Sequence, residues 1–165
     1  MNVCADNITK IVSLNGGRLV GKTRFQKTAY FLEEFGVGFG FNFEYYHYGP
    51  YSEDLSVLMS DAEILGICGV EWNETSTGTR YAVFSSPSDE LDEHPNDKER
   101  KKILDILSSY DAVTLELAST ADFLKNFELF DDEWEETIRR KREKATTDRI
   151  KRAKTLLSDL ENIID

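Results

Sequence analysis

Residues 16–23 match, position by position, the phosphate-binding pattern G-x-x-x-x-G-K-[ST]. In a nucleotide-binding P-loop of this pattern, backbone amides surround the phosphates, the lysine reaches the β- and γ-phosphates and the hydroxyl holds Mg²⁺. A P-loop must follow a buried strand of a parallel sheet, whereas the preceding segment 8–14 has the apolar spacing of an amphipathic helix. A P-loop nucleotide-binding enzyme is therefore the least favoured of three functional interpretations, and we expect no cofactor.

Four basic residues lie in or just before the first turns of the helix predicted after this pattern: Arg18, Lys22, Arg24 and Lys27. The positive end of the helix dipole disfavours cations there, by about 0.3 to 1 kcal/mol each. Two explanations stay open. The side chains pair with carboxylates of this acidic chain, or an anionic group of a partner compensates them. We include all four in a candidate partner-binding set.

Tyrosines crowd a second segment, in which residues 45–51 read Tyr-Tyr-His-Tyr-Gly-Pro-Tyr. A half-buried strand that buries its rings and keeps its hydroxyls in water would explain this composition. The alternative is an exposed binding surface, since tyrosines and a nearby histidine often anchor protein interfaces or stack on bases. Tyr46, His47, Tyr48 and Tyr51 complete the candidate partner-binding set.

The net charge of −11 over 165 residues disfavours nucleic acid, because Lys and Arg supply most non-specific affinity for phosphates. Residues 139–154 reverse this sign locally, with nine basic residues, two acidic ones and a local charge of +7. A solvated helix face would explain the stretch, and a surface for nucleic acid or an acidic protein is the alternative. The candidate nucleic-acid-binding residues are Arg139, Arg140, Lys141, Arg142, Arg149, Lys151 and Arg152.

Few residues of this chain suit metal binding or covalent catalysis. The two histidines, His47 and His94, and the two widely separated cysteines form no pair at ligand spacing. Carboxylates are plentiful, but the clusters at 89–93 and 131–136 are typical of solvated faces. The sequence therefore predicts no metal site, no catalytic residue and no enzymatic activity.

Location is predicted from the same composition. Two cysteines are too few for a secreted domain held by disulfides. Asp6 and Lys10 interrupt the only candidate for an export signal, and no run approaches the roughly 20 apolar residues that span a bilayer. We expect a cytoplasmic protein without membrane contact, and the oligomeric state stays open.

The first half combines helix and strand signals. Apolar spacing predicts a helix over 5–14, and a Thr23–Gln26 capping box predicts the start of a second helix. An aromatic strand is predicted over 43–48, ended by Gly49-Pro50, and Ser52 is the predicted cap of a third helix. A β-hairpin of 67–72 with 80–84 follows. After an acidic linker over 85–96, the pattern is wholly helical. Its helices are predicted to start with an Asn96–Glu99 capping pair and, for the last one, at Thr147. We predict two regions: an α+β core over 1–86, and a helical region over 97–165 packed on it.

Two short motifs carry a family resemblance. Residues 17–27, Gly-Arg-Leu-Val-Gly-Lys-Thr-Arg-Phe-Gln-Lys, and residues 48–52, Tyr-Gly-Pro-Tyr-Ser, resemble the YwgA-like family of prokaryotic proteins and, more distantly, SocA-like (Panacea) antitoxin domains. The signature positions are Gln26, Lys27, Tyr48, Gly49, Pro50 and Ser52. Phe25 departs from the usual Leu, and Thr28-Ala29 replaces more aliphatic residues.

The resemblance implies a winged-helix-like N-terminal core with a small antiparallel sheet, in a mainly helical α+β protein. It also accounts for the P-loop match without a nucleotide, because a G-[KR]-T-R-x-Q-K segment is part of the family's pattern. The implied role is a non-catalytic regulatory or antitoxin-like module that binds a protein. The second interpretation is a nucleic-acid-binding winged-helix regulator, in which the hairpin 67–84 acts as the wing.

Overall fold

The computed structural model describes residues 4–86 and 91–164 as helices, short antiparallel strands and connecting loops. The α-helices are α1 (Asp6–Leu14), α2 (Lys22–Glu34), α3 (Glu53–Ile64), α4 (Asp97–Leu107), α5 (Ala112–Asn126), α6 (Glu133–Lys141) and α7 (Thr147–Ile164). The strands are β1 (Arg18–Val20), β2 (Glu44–Tyr46), β3 (Gly49–Tyr51), β4 (Gly69–Glu74) and β5 (Arg80–Ser85). A 3-10 turn, Arg142–Lys144, follows α6. The predicted class, α+β and mainly helical with a small antiparallel sheet, is confirmed.

Strands β1, β5 and β4 form an antiparallel sheet in that order. The predicted hairpin is confirmed as β4 and β5, whose register places Trp72 opposite Ala82. Leu19 of β1 lies opposite Phe84 of β5, and both side chains are buried. Apolar cross-strand pairs of this kind stabilise a small sheet and close it over the core.

The second antiparallel pair, β2 and β3, differs from the prediction. The strand predicted over 43–48 ends at Tyr46, residues 47 and 48 make the turn, and Gly49 and Pro50 begin the return strand instead of ending the structure. That prediction is wrong for two reasons. A two-stranded ribbon has no central ladder for a proline to break, and Gly49 has a φ of 91°, a conformation that glycine adopts readily.

Several predicted helix starts are confirmed. The helix predicted over 5–14 is α1, and the last helix begins at Thr147 as predicted. Ser52 is the N-cap of α3: its Oγ accepts the backbone N–H of Leu55 at 3.2 Å. Glu53 and Asp54 occupy the first turn of α3, where the helix dipole stabilises negative charge.

Two predicted caps are wrong. The Thr23–Gln26 capping box is absent because α2 begins at the preceding residue and the Gln26 side chain binds another segment, described below. Asn96 makes no side-chain capping bond to α4, and its backbone N–H donates to His94 Nδ1 at 3.1 Å. In both cases another partner has displaced the local bond that the sequence spacing predicted.

The core brings α2 against α5 and the sheet. Phe25 of α2 meets Phe84 of β5 edge-on, with ring centroids 5.0 Å apart. Tyr30, also on α2, meets Phe123 of α5 at 6.2 Å. Buried side chains from both predicted regions contribute to one core cluster, including Leu115 and residues of α7. This continuous core holds the first and second halves of the chain together.

The boundary between the two predicted regions stays a prediction. Residues 87–90 of the predicted linker lie outside the described residues. Of the linker residues that follow, Asp92 accepts a hydrogen bond from the Lys10 amine at 2.6 Å through its backbone carbonyl. Among the described residues, no helix combines the length and apolar character needed to cross a bilayer.

Candidate functional site

The β2–β3 hairpin carries all three predicted partner-binding tyrosines, Tyr46, Tyr48 and Tyr51. Tyr46 lies opposite Gly49 in the register, and the Tyr46 and Tyr51 rings approach to 5.1 Å between centroids. Tyr46 is 53% exposed and Tyr48 is 57% exposed. His47 is exposed between them, its ring 5.6 Å from that of Tyr46. The tip of the hairpin therefore presents aromatic side chains to solvent.

Gln26 fixes the outgoing end of this hairpin. Its buried side-chain amide donates to the carbonyl of Ser52 at 3.0 Å, and its amide oxygen accepts the N–H of Ser52 at 2.8 Å. This two-bond contact imitates the pairing of neighbouring strands. Because Ser52 is also the N-cap of α3, Gln26 sets the position of the hairpin and of the α3 start together.

Lys27 holds the middle of the return strand. Its amine is buried and donates to the carbonyl of Pro50 at 2.7 Å. Gly49 lies so close to α5 that an added Cβ would stand 2.5 Å from Thr120 Oγ1. The lack of space for a side chain is thus a second reason for glycine at this position, besides its positive φ. Burial lowers the pKa of Lys27 to about 7, against the opposing effect of Glu116.

A buried carboxylate on α5 joins the same site to the C-terminal helices. Glu116, 4% exposed, pairs with Lys141 at 3.0 Å and with Lys144 at 3.1 Å. Lys141 also donates to the carbonyl of His47 in the hairpin turn at 3.3 Å. Burial lowers the pKa of Lys141 although Glu116 favours its charged form. Three lysines, including Lys27, thus surround one carboxylate beneath the hairpin.

Aromatic residues of the C-terminal half continue the surface beside the hairpin. The Arg140 guanidinium lies over the rings of Tyr45, at 4.5 Å, and Phe130, at 5.4 Å. Phe127 stacks on Phe123 at 4.9 Å, and Phe123 in turn meets Tyr45 at 6.1 Å. We call this surface the hairpin face; it consists of Tyr45, Tyr46, His47, Tyr48, Phe127, Phe130 and Arg140.

Open cavities lie on both sides of Tyr46. One, of about 480 Å³, is lined by Tyr45, Tyr46, His47 and Arg140. The other, of about 390 Å³, is lined by Asn42, Glu44, Tyr46, Tyr51, Glu53 and Asp54. Tyr46 is shared by both cavities, so a ligand in either one would contact its ring.

The four predicted partner-binding cations do not form one surface. Arg18 and Lys22 are exposed, and the Lys22 amine lies 5.0 Å above the Trp72 ring. The Arg24 guanidinium donates to the carbonyls at the end of α4, to Leu107 at 3.3 Å and to residue 110 at 2.7 Å. Lys27 is buried as described. Arg24 and Lys27 are thus engaged inside the chain, whereas Lys22 of α2 and Arg18 of β1 are exposed.

The predicted nucleic-acid-binding residues are largely paired within the protein. Arg139 and Arg140 bond to Glu136, at 2.9 Å and 2.7 Å, Lys141 is buried, and Arg149 donates to the carbonyl of residue 144 at 3.3 Å. Arg152 lies 3.4 Å from Asp111 in an exposed pair. Arg142 and Lys151 are exposed, and Arg142 has a φ of 47°. The stretch therefore presents less free positive charge than its composition suggests.

Residues 16–23, which match the P-loop pattern, do not adopt the conformation of a phosphate-binding loop. Its middle residues are strand β1, which pairs with β5, and helix α1 precedes it in place of a strand. The N–H of Gly21 donates to the carbonyl of Ala82 at 2.8 Å. A backbone that is committed to a sheet does not offer its amides to a phosphate in the way a P-loop does.

A carboxylate pair that the sequence did not indicate lies between α2 and α5. The Tyr30 hydroxyl donates to Asp122 at 2.7 Å, and burial, with the nearby charge of Asp122, raises the pKa of Glu34 to about 7. The two side chains come from distant positions, so no local spacing could have indicated them. Among the residues the structure describes, no group of three or more His, Cys, Asp or Glu side chains is arranged to hold a metal ion.

Comparison with known proteins supports the family resemblance in part. No family model matches the chain. The chain is similar to the uncharacterised protein YwgA of Bacillus subtilis (strain 168), with 28% identity over 128 residues that cover 75% of each chain. The more distant likeness to SocA-like antitoxin domains has no support from this match and stays a prediction. The match supports the resemblance to a YwgA-like family.

Proposed function

We propose that this protein is a non-catalytic, cytoplasmic binding module that holds a protein partner on the hairpin face, in a regulatory or antitoxin-like role. One observation carries the proposal. Tyr46 and Tyr48 are more than half exposed at the tip of a hairpin whose backbone is fixed from beneath by Gln26, Lys27 and Lys141. Exposed rings on a backbone held this firmly are suited to binding.

The energetic argument is preorganisation. Binding requires that mobile groups become ordered, which costs about 0.5 to 1.5 kcal/mol for each flexible side chain. A tyrosine has only two side-chain torsions, and a hairpin already held in place loses little further freedom. Hot spots of protein interfaces are enriched in Tyr, Trp and Arg, and the hairpin face contains three tyrosines and Arg140.

The surroundings support the same interpretation. Phe127 is 57% exposed and Leu129, in the loop after α5, is 77% exposed with a φ of 55°. A leucine in this left-handed conformation is strained, and its exposure places an apolar side chain in water. Apolar groups gathered beside exposed aromatic residues are typical of a protein interaction site.

A second candidate function rests on a different surface. The order helix, strand, two helices and a hairpin, with β5 between β1 and β4, resembles a winged helix in which β4–β5 is the wing. Two cations lie over the Trp72 ring of that wing: Lys22 at 5.0 Å and Arg80 at 5.1 Å. A nucleic-acid-binding regulator would use these cations, and its affinity for duplex DNA would fall steeply with salt.

The proposed function is tested by recovering partners from the native host with a tagged full-length chain, with and without nuclease. We compare the wild type with Tyr46→Ala/Tyr48→Ala and with a control, Ile64→Ala/Leu65→Ala. The control removes apolar side chains that are 80% and 69% exposed on and after α3. Two hot-spot tyrosines contribute about 2 kcal/mol each, so the tyrosine variant should weaken binding by more than about 100-fold.

The proposal requires a stoichiometric protein that survives nuclease, stays with the control and is lost from the tyrosine variant. Equal recovery by a tyrosine variant with wild-type circular dichroism would contradict it. Recovery that nuclease abolishes, with no protein bound, would favour the second candidate. In that case Lys22→Ala/Arg80→Ala should weaken DNA binding, and the tyrosine variant should not.

A further inference from the structure

The cavity on the α3 side of Tyr46 has a distinct chemistry. Its lining combines the Tyr46 and Tyr51 rings, tilted by 34° at 5.1 Å, with the carboxylates of Glu44, Glu53 and Asp54. Tyr46 is more than half exposed, and all three acidic residues are exposed. We call this cavity the acidic groove. A groove of about 390 Å³ has room for one long side chain of a partner.

The charges of the acidic groove are not balanced within the chain. Among the described residues, the nine ion pairs include none with Glu44, Glu53 or Asp54. The dipole of α3 accounts for the two acidic residues of its first turn. It does not account for Glu44, which belongs to β2. Like charges from two elements therefore face one opening.

The aromatic rings of this protein show what the acidic groove lacks. Elsewhere in the described chain, five partly exposed rings are covered by the protein's own cations: Trp72 by Lys22 and Arg80, Tyr45 and Phe130 by Arg140, Tyr48 by Lys144, and Trp134 by Lys154. No cation of the described residues covers Tyr46 or Tyr51, although three carboxylates line the cavity beside this pair. Carboxylates beside a bare ring favour a cation above that ring.

We propose that the acidic groove receives an arginine side chain of the protein partner. An arginine fits better than a lysine because its planar guanidinium stacks on a tyrosine ring while its N–H groups donate to carboxylates at the edge. The contact gives the partner a defined chemistry, a basic segment, which complements a chain of net charge −11. It rests on the proposed function and deepens it.

The experiment uses the full-length protein and a small probe, N-acetyl-arginine amide, with N-acetyl-citrulline amide as its neutral counterpart. Both are titrated against isotope-labelled protein, and the backbone amide resonances of Glu44, Tyr46, Tyr51 and Asp54 are followed by NMR. We expect saturable shifts with the arginine probe alone. Glu53→Gln/Asp54→Asn should weaken its binding by about tenfold, since exposed ion pairs contribute modestly.

Two further variants make the test specific. Glu71→Gln/Glu74→Gln removes the same charge from exposed positions of β4 and should leave binding of the probe unchanged. Glu44→Gln removes a charge of the acidic groove outside α3. It replaces the Glu53→Gln/Asp54→Asn variant if that double substitution unfolds the start of α3. Equal shifts with citrulline would overturn the proposal, and so would equal weakening by the β4 variant, which would show only general attraction.

Partner recovery separates this inference from the proposed function. A Glu53→Gln/Asp54→Asn chain that recovers the partner as well as the wild type does, while Tyr46→Ala/Tyr48→Ala loses it, would overturn the arginine contact and leave the hairpin face as the binding surface. Loss of the partner from both variants, with the β4 variant unaffected, would support both.

Discussion

Substituting Gly49 by alanine should destabilise the protein more than a positive φ alone can explain. The left-handed conformation costs a residue with a Cβ about 1 to 2 kcal/mol. The new Cβ would also stand 2.5 Å from Thr120 Oγ1, and overpacking of a buried site costs about 1 to 3 kcal/mol. The expected loss in the free energy of unfolding is therefore about 2 to 5 kcal/mol.

The chain offers a matched control for the conformational part. Gly78 has a φ of 84°, close to the 91° of Gly49, but nothing lies within 4 Å of its added Cβ. Gly78→Ala should therefore cost only about 1 to 2 kcal/mol. The difference between the two substitutions measures the contact with Thr120.

A double-mutant cycle tests that contact directly. Thr120 Oγ1 is buried without a hydrogen-bond partner, so Thr120→Ala alone should change stability little. In its background, Gly49→Ala should cost no more than Gly78→Ala does. Free energies come from urea unfolding followed by circular dichroism. Equal costs for the two glycine substitutions, or no relief from Thr120→Ala, would refute the reasoning that α5 limits the space at the hairpin.

Two further predictions concern the change of stability with pH, which has opposite signs for Lys27 and Glu34. Burial lowers the pKa of Lys27 to about 7, from 10.5 in the unfolded chain. As pH rises between those values, the wild type should therefore gain stability relative to Lys27→Met, by at most about 1.4 kcal/mol per pH unit. The pKa of Glu34 is raised to about 7, from 4.5 in the unfolded chain. As pH rises between those values, the wild type should therefore lose stability relative to Glu34→Gln. Urea unfolding across both windows measures each difference, and a slope of the wrong sign contradicts that assignment.

The elements that the sequence predicted correctly have local causes. Ser52 caps α3 through a bond that spans three residues, and the hairpin of β4 and β5 follows from apolar strands around a polar turn. The errors at Gln26 and Lys27 come from distant partners. Nothing near Gln26 in sequence indicates that its amide pairs with the backbone 26 residues away. The same is true of Lys27, which was predicted as a partner-binding cation and is buried.

The candidate site was predicted only in part for the same reason. Exposed tyrosines at 46 and 48 follow from a short hairpin with a two-residue turn. Their neighbours Phe127 and Arg140 belong to the second half of the chain. No local sequence pattern indicates that these residues lie beside the hairpin. Glu116 looks like one more charged helix residue until the fold places Lys141 and Lys144 around it.

Most of the positions that carry the family resemblance hold the hairpin in place, and the exception is Tyr48, whose side chain is exposed. Gln26, Lys27, Gly49 and Ser52 act through buried bonds or close backbone approach, whereas Tyr46 and His47 lie just outside the motif and face solvent. A related chain can keep every buried contact and exchange the exposed residues, because the buried side chains bond to backbone atoms of the hairpin and its adjoining residue Ser52. Likeness in the motif therefore implies a similar hairpin, and the choice of partner must be determined from the exposed residues around it.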